Sequence, residues 1–128
     1  MPLPQYGTPD FTAAIDAAFA DLKSQFRAAA EKFGKYWPPD FGEEPIPHSA
    51  WVRIKNAEQQ ARGVRPGPDS EVKAAEEYSQ ANLKAAFDRL DELLEAAYKV
   101  ELSEKYSGAK LNIAFARSDL NTALNLTL

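Results

Sequence analysis

Lys110-Leu-Asn-Ile-Ala-Phe-Ala116 and Thr122-Ala-Leu-Asn-Leu-Thr-Leu128 decide whether this chain is all helix or helix plus sheet. In the first stretch Leu111, Ile113 and Phe115 alternate with polar or small residues; in the second Leu124, Leu126 and Leu128 do the same. A period of two places alternate side chains on one face of a strand. Arg117-Ser-Asp-Leu-Asn121 between them is turn-like, so residues 109–128 predict a β-hairpin. A short fourth helix is the alternative, but it would split the apolar residues over two faces. An isolated hairpin is barely stable in water, so this one must pack on the rest of the chain or pair with another copy.

Upstream the period changes. Val72, Ala75, Ser79, Leu83, Ala86 with Phe87, Leu90, Leu93 with Leu94, and Ala97 recur at steps of three and four, capped by Asp69 or Ser70. The pattern predicts one long helix over 69–107, about 55 Å at 1.5 Å per residue. That exceeds what a domain of this size needs, so the helix either breaks near Tyr98–Ser103 or projects at one end. Its small residues keep the stripe slim, which lets another helix approach closely.

Two further helices precede it. Thr8-Pro9-Asp10 is a helix start with a capping hydroxyl, proline in the first turn and an acid suited to the dipole. Phe11, Ile15, Phe19, Leu22, Phe26 and Phe33 then form one stripe, predicting helix 1 over 9–33 after a Pro-rich arm at 1–8. Ser49 is read as the cap of helix 2, over 49–62, with Trp51, Ile54, Ala57 and Ala61 on one face and Gly63 as its stop. The expected fold is mainly α: a three-helix assembly in one domain, with a very long third helix and a C-terminal hairpin or short fourth helix.

Between helices 1 and 2, residues 34–48 carry four prolines and the aromatics Tyr36, Trp37 and Phe41. Proline fixes φ and removes a donor, so this is neither helix nor central strand. It packs either on the chain's own core or on a partner. As a stiffened loop it would present Tyr36, Trp37 and Phe41, with Glu43 and Glu44, at low entropic cost. No P-x-x-P spacing occurs there for an SH3-type groove.

The 128 residues contain no cysteine and one histidine. Thiol catalysis, disulfides and the usual structural zinc sites are thereby excluded, and His48 lacks companions for a triad or a histidine-rich metal site. Asp88, Asp91, Glu92 and Glu95 share one helical face, but Lys84 and Lys99 flank them, so a solvated charged face outweighs a hard-metal or acid–base site. Helix 2 and its tail carry Arg53, Lys55, Arg62 and Arg65 among Asn56, Gln59 and Gln60, types that can contact phosphates and bases. Net charge is −4, and residues 69–128 hold eleven acids against seven bases. Nucleic acid is therefore not the expected partner. No phosphate-binding glycine loop is present.

The opening residues lack a basic and then apolar leader, and no stretch approaches a membrane span. The expected setting is the cytoplasm, or a particle assembled there. No enzyme chemistry, cofactor or metal is expected. The Pro-rich arm, aromatic loop, over-long helix and apolar terminus of Leu124, Leu126 and Leu128 point to association. The leading expectation is a non-enzymatic structural or adaptor subunit of a larger symmetric assembly, self-associating, with a viral or phage connector or capsid accessory protein as one version. The alternative is an acidic helical regulatory module that grips one basic protein partner through the Pro/aromatic loop.

Overall fold

The computed structural model describes residues 3–33 and 48–128. These form four α-helices and no strand: α1 Pro9–Lys32, α2 His48–Arg62, α3 Gln80–Glu101 and α4 Glu104–Leu124. The mainly helical expectation holds. The hairpin does not form; α4 occupies its place and is 21 residues long.

Helix 1 forms as its sequence dictates. Thr8 caps it, its hydroxyl accepting from the Phe11 N–H at 3.2 Å, with Pro9 in the first turn. In α2, Ser49 lies inside the first turn rather than before it, and its hydroxyl donates to Asp119 of α4 at 3.3 Å. Gly63 ends α2 with φ +69° and an N–H bonded to the Gln59 carbonyl.

The single long helix expected over 69–107 is divided twice. Residues 69–71 make only a 3-10 turn, and the chain then stays non-helical until Ser79, which caps α3 by accepting from the Asn82 N–H at 2.9 Å. At the other end Leu102 turns left-handed at φ 53°, and α4 begins two residues later. Residues 80 to 101 therefore carry the expected stripe, with Leu83, Phe87, Leu90, Leu93 and Leu94 wholly buried.

The contacts between elements reveal the directions of the helices. Asp88 meets Arg117 and Glu95 meets Lys110, so α3 and α4 run antiparallel. Lys23 meets Glu58 and Asp16 meets Arg62, so α1 and α2 do too. Ser49 meets Asp119 and Gln60 meets Asn112, which sets α2 against α4. Tyr6 meets Glu101 and Phe33 meets Tyr78, which sets α1 against α3. The result is a four-helix bundle with the cyclic order α1–α2–α4–α3, every neighbour antiparallel.

This order sets the course of the link between α2 and α3. Helix 2 ends beside the start of α1, while α3 starts beside its end. The link 63–79 must climb the bundle between the levels of Asp16 and Phe33, about 25 Å along α1. It is clasped to the outside of α1: the Arg27 guanidinium donates to the Val72 carbonyl, and the Ala75 N–H donates to the Ser24 carbonyl at 3.1 Å. Lys55 of α2 pairs with Asp69 at 3.0 Å. Val72 and Tyr78 pack on the core as half-buried residues.

All four helices feed one core, in which Phe26 and Trp51 meet with ring centroids 5.1 Å apart. The most extensive interface is α2 with α4, where Ala50, Ala57 and Ala61 face a helix that contributes Ala109 and Ala116. Small side chains there let the two backbones approach. No described helix is long and apolar enough to cross a membrane.

Candidate interaction surface

Helix 4 buries Tyr106, Ala109, Ile113, Ala116 and Leu120, steps of three and four that define its inner face. Its opposite face begins with the exposed Glu104 and then carries Ser107, Gly108, Leu111, Ala114, Phe115, Ser118 and Thr122 with no further charge. On that outer face Leu111 is 58 % exposed and Phe115 49 %. The two are one turn apart and so lie side by side. Arg53 of α2 lies over the Phe115 ring, 4.7 Å from its centroid, and pairs at 3.7 Å with Asp119. The two apolar faces that argued against a helix from sequence are both present. One is the core contact and the other faces outward.

The flanks of this face are charged and internally paired. On the α3 side Asp88 accepts from Lys84 at 2.9 Å and pairs with Arg117 at 2.7 Å. The Lys84 hydrogen bond first, and Arg117 next, hold its carboxyl below the usual carboxylate range. Glu95 accepts from Lys110, and this bond chiefly keeps its carboxyl low as well. The carboxylate row is thus divided: Asp88 and Glu95 turn to α4, while Asp91 and Glu92 face solvent. Among the described residues no group of three or more His, Cys, Asp or Glu side chains is placed to hold a metal ion. The basic residues of α2 are also engaged. Arg53 faces Asp119, Lys55 faces Asp69, and Arg62 lies between Asp16 and Glu58.

A cleft of about 520 Å³ lies at the end of the bundle where α1 and α4 begin and α2 ends. Phe11, Ile15, Ala61 and Val64 supply its apolar wall, and Tyr6, Arg62 and Lys105 its polar rim. The Tyr6 hydroxyl donates to the Glu101 carboxylate and lies 3.4 Å from the Tyr106 hydroxyl. Its ring meets Phe11 and Tyr106 edge-on. The bond to Glu101, supported by Tyr106, drives the Tyr6 pKa well above the ordinary phenol range, so it keeps its proton at neutral pH. The arrangement ties the N-terminal arm to the α3–α4 corner.

Of the residues expected to meet partners, Tyr36, Trp37, Phe41, Glu43 and Glu44 lie outside the described residues. Leu124, Leu126 and Leu128 are described, and they do not form a strand. Asn125 takes the left-handed conformation after α4, as Asn commonly does at a helix end. The tail then folds back: the Leu126 N–H bonds to the Asn121 carbonyl, and the Leu128 N–H bonds to the Asn121 side chain at 2.8 Å. Gln80 donates to Thr127 at 2.8 Å, and the three leucines pack half-buried on the core. His48 is the first residue of α2 and is also half-buried.

Sequence reasoning missed the Leu111–Phe115 pair because it assigned both residues to a strand face with Ile113. The available signal was alanine. Counting Ala109 and Ala116 as apolar completes a helical stripe through Tyr106, Ile113 and Leu120 and leaves Leu111 and Phe115 on the other side. Comparison with protein-family models, with curated proteins and with solved structures finds no match for this chain.

Proposed function

We propose that this chain is a non-enzymatic structural or adaptor subunit that associates with further copies of itself through the outer face of α4. The observation that carries this reading is that α4, beyond Glu104 in its first turn, is uncharged and partly apolar on the face turned away from its own core. Interface centres are depleted in charge and enriched in aromatic residues and arginine, and Phe115 with the overlying Arg53 matches that composition, with Leu111 adding apolar area beside them. An α4 with only one apolar face would suffice for the bundle. The area offered is that of one helix face, below a standard interface, so the association is weak and concentration-dependent.

Light scattering over a concentration series tests it. The wild-type chain is expected to rise above the monomer mass as concentration increases. Leu111→Ser with Phe115→Ser should hold the chain monomeric while leaving helicity and the thermal midpoint nearly unchanged, because both side chains are exposed. A wild-type chain that stays monomeric at millimolar concentration defeats the reading.

A further inference from the structure

We infer that the copy covering this face is docked antiparallel, α4 against α4, in a closed two-fold dimer with Leu111 of each chain over Phe115 of the other. The inference rests on the self-association proposed above and specifies its geometry.

The pattern of charge and side-chain size along α4 selects that arrangement. If Leu111 faces Phe115 of the second copy, each position faces the one that brings their numbers to the same total. Gly108 then comes level with Ser118, so small residues of the stripe flank the Leu111–Phe115 contact on either side. Lys105 comes within about 3 Å, along the helices, of the level of Asp119, and the two-fold axis keeps both on the α2 side of the contact. Each is held within its own chain only by long contacts: Lys105 is 3.8 Å from Glu101 and 4.9 Å from the centre of the Tyr106 ring, and Asp119 accepts from Ser49 at 3.3 Å and lies 3.7 Å from Arg53. The dimer therefore gains two such ion pairs, one at each end. A parallel two-fold arrangement forgoes these pairs, because it carries the two Lys105 side chains, and likewise the two Asp119 side chains, to opposite sides of the contact. The other rim is neutral in either direction, because Asp88–Arg117 and Glu95–Lys110 are already paired. The contact is self-complementary and closes at two chains, in contrast to a head-to-tail contact that could propagate.

The absence of native cysteine gives a direct test. Ala114 is exposed on the outer face and one residue from the two-fold axis, so its two copies differ by only about 3 Å along the helices. Thr122 is nine residues from the axis, and its copies are about 27 Å apart. The full chain bearing A114C should cross-link to a dimer with a short bismaleimide, and the chain bearing T122C should not. Lys105→Glu should weaken the dimer by roughly ten-fold at low salt and by less at high salt. Efficient cross-linking through T122C means a parallel contact and overturns the inference. An oligomer visible by light scattering that A114C does not cross-link overturns this geometry but leaves self-association standing. A strictly monomeric wild-type chain overturns both.

Discussion

Glu58, only 3 % exposed, places both carboxylate oxygens on the Lys23 ammonium, at 2.9 and 3.0 Å. The pair joins α2 to α1, with Arg62 at 3.6 Å as a second cation. A buried ion pair adds little net stability, but removing one partner strands the other. Lys23→Ala is therefore expected to cost about 2–3 kcal/mol, somewhat below the usual cost of stranding a buried charge because Arg62 remains. Lys23→Met with Glu58→Leu should recover most of that loss. Urea denaturation of the three variants checks this, and a double variant no better than Lys23→Ala counts against it.

Leu102 holds φ 53° at the α3–α4 corner with its side chain 70 % exposed. The left-handed conformation costs a non-glycine residue roughly 1–2 kcal/mol, and little burial is lost on removing this side chain. Glycine also loses more chain entropy on folding, which offsets part of the gain. Leu102→Gly should therefore stabilise the protein by about 0.5–1 kcal/mol. A lower denaturation midpoint would show that Leu102 contributes packing after all.

The lowered pKa of Asp88 makes the α3–α4 contact sensitive to acid. The unfolded chain binds that proton more readily than the folded one, so protonation favours unfolding. The contribution is complete above the ordinary carboxylate value of about 4 and is lost as pH falls through the lower folded value. Asp88→Asn should cost under ~1 kcal/mol at neutral pH, since the side chain is 42 % exposed and screened. The difference between wild type and variant should close as the pH drops toward 3. A difference that persists unchanged there would sink the explanation.

Deleting residues 126–128 removes two half-buried leucines and the bonds to Asn121 and Gln80. Half-burial of two such side chains is worth about 1–2 kcal/mol. The truncated chain should melt lower and still associate through α4. Loss of association with no change in melting would instead return the terminal leucines to the role of partner contacts.

Three parts of this protein could be read directly from its residues. Thr8-Pro9-Asp10 and the phenylalanine stripe specify α1, Gly63 the end of α2, and Leu83 to Leu94 the body of α3. In the first two, capping chemistry and a 3.6-residue period agree, so local physics suffices; in α3 the period alone was right, because its cap is Ser79 and not Asp69 or Ser70. The absence of cysteine and the single histidine likewise exclude whole classes of chemistry at the level of composition.

Tertiary structure decided the remainder, because the local signals there were ambiguous. Residues 72–79 have helical periodicity, yet they run as non-helical chain along the outside of α1, held by Arg27 and the Ser24 carbonyl. Residues 109–124 fit both a strand and a helix that is apolar on two sides. The helix prevails because α2 and α3 present faces that cover Ile113, Ala116 and Leu120 along their full length. That choice moves Leu111 and Phe115 from a shared face with Ile113 to the outside of the molecule. A period of two cannot distinguish a strand from a doubly apolar helix until the neighbouring surfaces are in place.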